Sequence, residues 1–212
     1  MDKIFPSGVK GTEGPLGFIG KIKRFFSEFK DYNRIAKIDE IARRYFLMNT
    51  FDGIMTILGL LIGSLAAGSK DPGLIIKISL GTTIAMAVSG ISGAYIAEHA
   101  ERIRELKELE NATLHKLKNT RIYRAFNTAE FIVALVDGIS PVFATIIVLV
   151  PFFFSEIPII TMYASSIAIS FAVLAVLGVF TAKISKERLL PAVGKMLLAG
   201  IISAALGYLI LK

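Results

Sequence analysis

Five apolar stretches, each long enough to cross a membrane, constrain this sequence more than any other feature. A transmembrane helix needs about 20 apolar residues to cross a hydrocarbon core of roughly 30 Å. The stretches cover residues 45–68, 73–97, 126–154, 159–182 and 189–211. Hydrophobic residues make up 54% of the chain, more than a water-soluble domain needs for its core. The sequence therefore predicts an all-α integral membrane protein with five transmembrane helices.

The basic residues predict how these helices are oriented. The chain has 24 lysines and arginines, and this topology places all of them on one side except Lys70, Lys77 and Lys212. Loops rich in lysine and arginine stay in the cytoplasm, so we expect a cytoplasmic N-terminus and an external C-terminus. The net charge of +7 then follows from membrane topology, and we expect no nucleic-acid partner.

The membrane domain is expected to cover residues 45–212, preceded by a cytoplasmic tail and an amphipathic helix in residues 1–44. Within that region, aromatic and aliphatic residues recur among lysines at spacings near three and four, at Phe18, Ile22, Phe25, Phe26 and Phe29. This pattern is typical of a helix that lies in the membrane interface. The first fifteen residues are polar and contain glycine and proline, so no signal peptide is predicted.

Two aspartates lie inside predicted spans, where an ionisable group is costly unless it has a partner or a wet cavity. The segment Asp52-Gly53-Ile54 aligns with Asp137-Gly138-Ile139, so spans one and two resemble a copy of spans three and four, as in many transporters. One interpretation is a metal or proton site. The other is that the aspartates make structural hydrogen bonds to Asn49, Thr56, Ser140 or a neighbouring helix.

Two further side chains are candidate ligands in the membrane. Asn49 precedes Asp52 by about one helical turn, and Met86 lies in the second span. A thioether sulfur favours softer ions such as Fe(II) over Mg(II) or Ca(II). The alternative for Met86 is ordinary packing between helices.

A stripe of glutamates follows the second span, in a short acidic cytoplasmic helical extension expected at residues 98–125. Its members share one face of a helix and are Glu98, Glu101, Glu105 and Glu108. Like charges one turn apart destabilise a helix, so a divalent cation would stabilise the stripe, and we expect it to gather metal. The alternative is a solvated face, because Arg102, Arg104 and Lys107 are interleaved and Glu98 can pair with Arg102.

Three segments resemble the vacuolar iron transporter family. They are R-R-Y-F-L-M-N-T-F-D-G-I-M-T-I-L-G from Arg43, S-G-I-S-G-A-Y-I-A-E from Ser89, and G-K-M-L-L-A-G-I-I-S-A-A-L-G-Y from Gly194. The resemblance covers nearly everything after Arg43 and is to the short prokaryotic members. It implies a homodimer that exchanges Fe(II) or Mn(II) for protons, with Asp52 in the pathway.

The sequence departs from that family in its second span and in the following loop. The family often has a Ser-Met pair and a Glu-Tyr pair where this chain has Ser89-Gly90 and Ala94-Tyr95. Residues 98–125 are also too few for the three-helix metal-binding domain of the plant carriers, although Glu98 and Glu101 match the start of its acidic helix. Asp137 is therefore interpreted as a ligand that the longer relatives provide otherwise.

These observations predict proton-coupled transport of Fe(II), with Mn(II) as a second candidate, out of the cytoplasm. The metal and protons are the substrates, membrane lipid and a second copy are the other expected partners, and no cofactor is expected. A multi-pass protein in the cell membrane of a prokaryote is the expected localisation. The alternative is a non-transporting membrane scaffold or assembly protein. An enzyme is not expected, because the chain has no cysteine and no hydrolase, phosphate-loop or HExxH motif.

Overall fold

The computed structural model describes residues 29–154 and 156–211, and these ranges are helical, without a strand. The main helices are α1 (Ile38–Ala66), α2 (Pro72–Thr113), α3 (Arg121–Leu149), α4 (Ile159–Ser185) and α5 (Leu189–Leu211). A short 3-10 helix (Val150–Phe153) continues α3, and residues 29–36 are helical before α1. All five main helices are long and apolar enough to cross a membrane. The prediction of an all-α, multi-pass membrane protein with five spans is confirmed at this level.

Local sequence signals explain where the helices begin and end. Asp71 caps α2 by accepting a hydrogen bond from the Gly73 amide at 2.9 Å, and Pro72 occupies the first turn, where its missing N–H costs nothing. Thr120 caps α3 by accepting from the Tyr123 amide at 3.3 Å. Lys37 has a left-handed backbone conformation and separates residues 29–36 from α1. The helix boundaries are therefore set by caps and backbone breaks.

Helix α3 lies between α1 and α2 and packs along both of them. Asn49 contacts Asp137, and Gly53 lies against Pro141, so α1 and α3 run in the same direction. Thr83 bonds to Thr145 at 2.8 Å and His99 to Glu130 at 3.0 Å, so α2 and α3 run in opposite directions. Helices α1 and α2 make few direct contacts, so they are held together mainly by their packing on α3.

The largest buried cluster lies at one end of this bundle. It joins the end of α1, the end of α3 with its 3-10 continuation, and the start of α4 through Leu61, Leu149, Phe152 and Tyr163. The Tyr163 hydroxyl donates to the Ser69 carbonyl at 3.2 Å, which ties α4 to the α1–α2 turn. Helices α4 and α5 pack on each other and on α1. Many large apolar side chains face outward along the helices, such as Ile84, Phe131 and Leu209, as expected for a surface in contact with lipid.

Helix α2 is unusual in length, with 42 residues in one continuous helix. The predicted extension at 98–125 is helical as far as Thr113, then breaks, and helix resumes at Arg121. The acidic stripe thus lies on the same helix as the second span. Helix α1 begins at Ile38, earlier than the predicted span at residue 45, because its charged first turns are helical although too polar to be recognised by hydropathy.

Only the end of the predicted interfacial helix lies within the described residues. Phe18, Ile22, Phe25 and Phe26 lie outside them. Phe29, together with Tyr32, packs against a cluster formed by residues 36–38 and the start of α3. The described end of this segment therefore contacts the membrane domain directly.

Candidate functional site

Asp137 is a buried acid in the middle of α3, with only 4% of its surface exposed. The side-chain amide of Asn49 on α1 donates a hydrogen bond to its Oδ1 atom. Its Oδ2 atom faces Gly90 on α2, at 2.8 Å from the position that a Cβ atom on Gly90 would occupy. Three helices therefore meet at this carboxylate, and the glycine leaves the space that the carboxylate fills.

Glycines allow the helices to approach closely at this level. A Cβ atom on Gly53 would lie 2.9 Å from the Pro141 Cα atom, and one on Gly138 would lie 2.7 Å from the Ala87 carbonyl oxygen. Such distances are too short for side chains, so α1 and α2 both contact the α3 backbone. This explains why glycine follows each aspartate in the sequence.

Asp52 lies about one turn beyond Asn49 on α1 and is exposed in the single chain. It is close enough to Asp137 for the two carboxylates to interact electrostatically. Within residues 29–154 and 156–211, neither aspartate forms an ion pair with a lysine, arginine or histidine. The structure thus brings the two sequence-predicted aspartates together, although it buries one and exposes the other.

The other residues considered from the sequence have different surroundings. Met86 is half-buried on α2, about one turn before Gly90. Ser140 donates its hydroxyl to the Val136 carbonyl of its own helix and not to an aspartate. Within residues 29–154 and 156–211, the alternative of structural hydrogen bonds is therefore seen only for the bond between Asn49 and Asp137.

Tyr45 was missed in the sequence interpretation. It lies on α1 about one turn before Asn49, and its hydroxyl is close enough to interact electrostatically with Glu98, which is buried with 6% of its surface exposed. Tyr45, Asn49 and Asp52 lie on one face of α1, since residues four and seven apart share a helix face. That spacing was the available signal. Glu98, Tyr45, Asn49 and the two aspartates are thus polar groups that α1, α2 and α3 contribute to the same part of the bundle.

The glutamate stripe is neutralised mainly by arginines of its own helix. Arg104 contacts Glu101 at 2.6 Å and Glu108 at 3.6 Å, and Arg102 contacts Glu105 at 2.7 Å. Arg102 also lies 3.6 Å from Glu98, as the spacing of these two residues predicted. These pairs weaken the negative potential along the stripe, which favours the alternative of an ordinary charged face.

Arg102 is a second residue whose role could not be read from the sequence. It is buried with 6% of its surface exposed, donates to the Ala36 carbonyl at 3.0 Å, and has its guanidinium 5.0 Å from the centre of the Phe126 ring. It therefore fastens the segment before α1 to both α2 and α3.

A second side-chain polar contact joins α2 to α3, in addition to that of Thr83 with Thr145. His99 Nδ1 lies 3.0 Å from Glu130 Oε2, and the Tyr95 ring stacks on the His99 ring with centroids 5.8 Å apart. The His99 side chain is 48% exposed. Glu130 is buried, and its proximity to His99 depends on packing between helices.

A complete metal-ligand cluster is not formed by the described part of the chain. Its residues include no group of three or more histidines, cysteines, aspartates and glutamates arranged to hold a metal ion. Asp52, Asp137 and Asn49 place two carboxylates and one amide near each other inside the spans. This set is small, but its chemistry suits hard or borderline divalent cations and protons.

Comparison with known proteins gives one informative relative. No protein-family model matches the chain. The uncharacterized protein MJ0645 of Methanocaldococcus jannaschii is 38% identical over 176 residues, which cover 82% of this chain and 90% of the relative. At this identity and coverage, the chain belongs to the same family as the uncharacterized protein MJ0645.

Proposed function

We propose that this protein moves Fe(II), with Mn(II) as a second candidate metal, out of the cytoplasm in exchange for protons. The observation that supports the proposal most strongly is the pair formed by Asp52 and Asp137. Both acids lie in apolar spans, interact with each other, and have no cationic partner within the described ranges.

The physical reason lies in the cost of uncompensated charge. Two neighbouring carboxylates in a medium of low polarity repel each other and lose hydration, which costs several kcal/mol. Either a divalent cation or protons on the carboxylates would relieve this cost. A site that alternates between a metal-bound state and a protonated state, open to opposite sides of the membrane, exchanges one ion for the other.

The resemblance to vacuolar iron transporters adds a specific correspondence. Where that family often has methionine, this chain has Gly90, and the Asp137 carboxylate fills the space that a side chain at that position would need. We interpret Asp137 as replacing the thioether ligand by an oxygen ligand. This substitution favours a harder ion, and it keeps Mn(II) in consideration beside Fe(II).

The coordination shell of the metal needs more groups than these. Two carboxylates and the Asn49 amide oxygen fall short of the octahedral shell that Mn(II) prefers. Met86, water and a second copy of the chain are the sources that we propose for the rest. Exposure of Asp52 in a single chain supports the expected homodimer, because an aspartate that faced lipid would be strongly unfavourable.

The route to the site begins, in this proposal, on the cytoplasmic extension of α2. Glu101, Glu105 and Glu108 are at least partly exposed and would attract cations, although their arginine partners reduce the effect. Glu98 is buried beside Tyr45 and would pass the ion to Asn49 and the aspartates. The gathering role therefore rests more on Glu98 than on the exposed members.

The test is metal flux with simultaneous internal pH in proteoliposomes that contain the wild type, Asp52→Asn or the control Glu156→Gln. Glu156 is exposed in the α3–α4 connection, so its replacement removes the same charge outside the spans. We expect Fe(II) and Mn(II) movement matched by opposite proton movement, lost in Asp52→Asn and kept in Glu156→Gln. Unimpaired transport by Asp52→Asn would refute the role of this residue, and no flux in the wild type would favour the scaffold alternative.

A further inference from the structure

A groove with charged residues at one end opens between α1, α4 and α5, at the end of the bundle where α1 begins. We call it the basic groove. Its volume is about 420 Å³, and its inner surface is mainly apolar, formed by Leu47, Met48, Phe51, Ile184 and Met196. This volume lies in the range of about 300–1,000 Å³ typical of small-molecule sites. The groove is therefore large enough for part of an aliphatic chain.

Two arginines lie at the mouth of the basic groove. Arg43 and Arg44 belong to its lining, are exposed, and form no ion pair with any carboxylate of residues 29–154 or 156–211. Glu40 is the single acid of the lining. Lys183 and Lys186 flank Ile184 at the end of α4 and are also exposed. The mouth thus has an excess of positive charge directly beside an apolar cavity.

A second groove on the same molecule provides a contrast. It lies between α1, α3 and α4 and has a volume of about 360 Å³. Its lining among the described residues includes Phe46, Phe143, Val176 and Phe180 and has no charged residue. We call it the neutral groove. Both grooves open on the outer surface of the spans, so lipid chains can reach both. The charged residues Glu40, Arg43 and Arg44 distinguish the described lining of the basic groove from that of the neutral groove.

We propose that the basic groove binds an anionic phospholipid, with an acyl chain against Met48 and Phe51 and the headgroup phosphate held by Arg43 and Arg44. Guanidinium groups bind phosphate oxygens through paired hydrogen bonds, and basic pockets between transmembrane helices favour anionic headgroups. The inference is independent of metal transport, since none of these residues belongs to the aspartate site.

Charge also argues against two other occupants. A second copy would bring two mouths with excess positive charge together, which is unfavourable. The segment before residue 29 contains Lys21, Lys23 and Arg24 close to its phenylalanines, and these charges would be repelled by Arg43 and Arg44. A negatively charged headgroup is complementary to the mouth.

The chain has no cysteine, so a single introduced cysteine can report what occupies the groove. We would place Met48→Cys in the full chain, attach a benzophenone maleimide, and reconstitute the protein in nanodiscs with a minority of phosphatidylglycerol in phosphatidylcholine. Val176→Cys in the neutral groove is the matched control, since Met48 is 56% and Val176 65% exposed. Mass spectrometry of the photoproducts then identifies each adduct.

We expect adducts at Met48→Cys to be enriched in phosphatidylglycerol by roughly 30-fold over the bulk ratio, because two arginines contribute about 1 kcal/mol each near an anionic headgroup and about 1.4 kcal/mol corresponds to a factor of ten. Adducts at Val176→Cys should follow the bulk ratio. In the Met48→Cys protein, the additional substitutions Arg43→Gln and Arg44→Gln should abolish the enrichment. As a control, Lys118→Gln together with Arg121→Gln removes the same charge at the α2–α3 connection and the first residue of α3, and it should leave the enrichment unchanged.

Three results would overturn the proposal. The first is equal enrichment in both grooves, and the second is enrichment that survives loss of Arg43 and Arg44. The third is a dominant adduct with residues 1–28 or with a second copy of the chain, because the occupant would then be protein. Correct insertion of each variant is checked by its elution as a single species in detergent.

Discussion

Replacement of Gly90 by alanine should separate the proposed site from the packing that surrounds it. The new Cβ atom would lie 2.8 Å from the Asp137 Oδ2 atom, but 3.5 Å from the Gly138 Cα atom and 3.6 Å from the Asp137 carbonyl carbon. The last two distances are ordinary contacts. The substitution therefore acts on the carboxylate and leaves the helix backbones in place.

The effect on stability should be small, because two terms oppose each other. Forcing the aspartate side chain away from its preferred rotamer costs about 0.5–1.5 kcal/mol. Alanine in place of glycine inside a helix contributes about 0.5–1 kcal/mol. The net change in the free energy of unfolding is within about 1 kcal/mol, which a thermal melt in detergent can verify.

The effect on transport should be much larger. A displaced carboxylate changes its position relative to Asn49 and Asp52, and metal ligands must be placed within about 0.2 Å. Misplacement by about 1 Å commonly costs a reaction up to 100-fold, so we expect metal flux in proteoliposomes to fall by at least 10-fold.

The controls for this variant are Gly93→Ala and Gly81→Ala on the same helix, where a Cβ atom meets nothing within 4 Å. Both should transport at the wild-type rate. A Gly90→Ala protein that transports Fe(II) and Mn(II) as fast as the wild type would refute the assignment of Asp137 as a ligand.

Three further predictions concern stability and can be checked by thermal unfolding. Arg102→Ala should lower the free energy of unfolding by about 3–5 kcal/mol, because Glu98 would be left buried without its counter-ion; a Lys107→Ala control should change it little. Gly53→Ala should cost about 1–3 kcal/mol, since the added methyl group meets the Pro141 backbone at 2.9 Å and α1 must shift; an unchanged melting point would mean that the helices are not in tight contact there. Glu101→Gln should change stability by less than about 1 kcal/mol, because its ion pair is exposed and such pairs contribute little; a large loss would show that this pair is structurally important.

The number of spans could be predicted from the sequence because spanning a membrane is a requirement on length and hydropathy, both of which are local. The early start of α1 was missed because the prediction of spans relied on local hydropathy. Residues 38–44 carry acidic and basic side chains that lower the local hydropathy, although they continue the helix.

The geometry of the aspartate site was only partly predictable. Asp52 and Asp137 were recognised because ionisable residues are rare in spans, but their alignment as repeat-equivalent positions implied similar surroundings. The register between α1 and α3 places Asn49, and not Asp52, against Asp137, so one aspartate is buried and the other exposed. Such a register depends on close contacts such as that of Gly53 with Pro141, which no pattern within one helix contains.

The contacts of Arg102 and Tyr45 show a further limit. The pairing of Arg102 with Glu98 follows from their spacing on one helix and was anticipated. Its bond to the Ala36 carbonyl joins residues 66 positions apart, and only the tertiary fold creates it. Sequence reasoning therefore recovers the pairs within a helix and misses the contacts that fix one helix against another.

The length of α2 has a mechanical consequence. Its 42 residues correspond to about 63 Å at 1.5 Å per residue, roughly twice the hydrocarbon thickness of a bilayer. The helix is continuous from Gly90, inside the predicted span, to Glu108, well beyond it. A rotation of this helix about its axis would turn Gly90 away from Asp137 and bring a neighbouring side chain against the carboxylate, so a movement outside the bilayer would be transmitted to the buried acid.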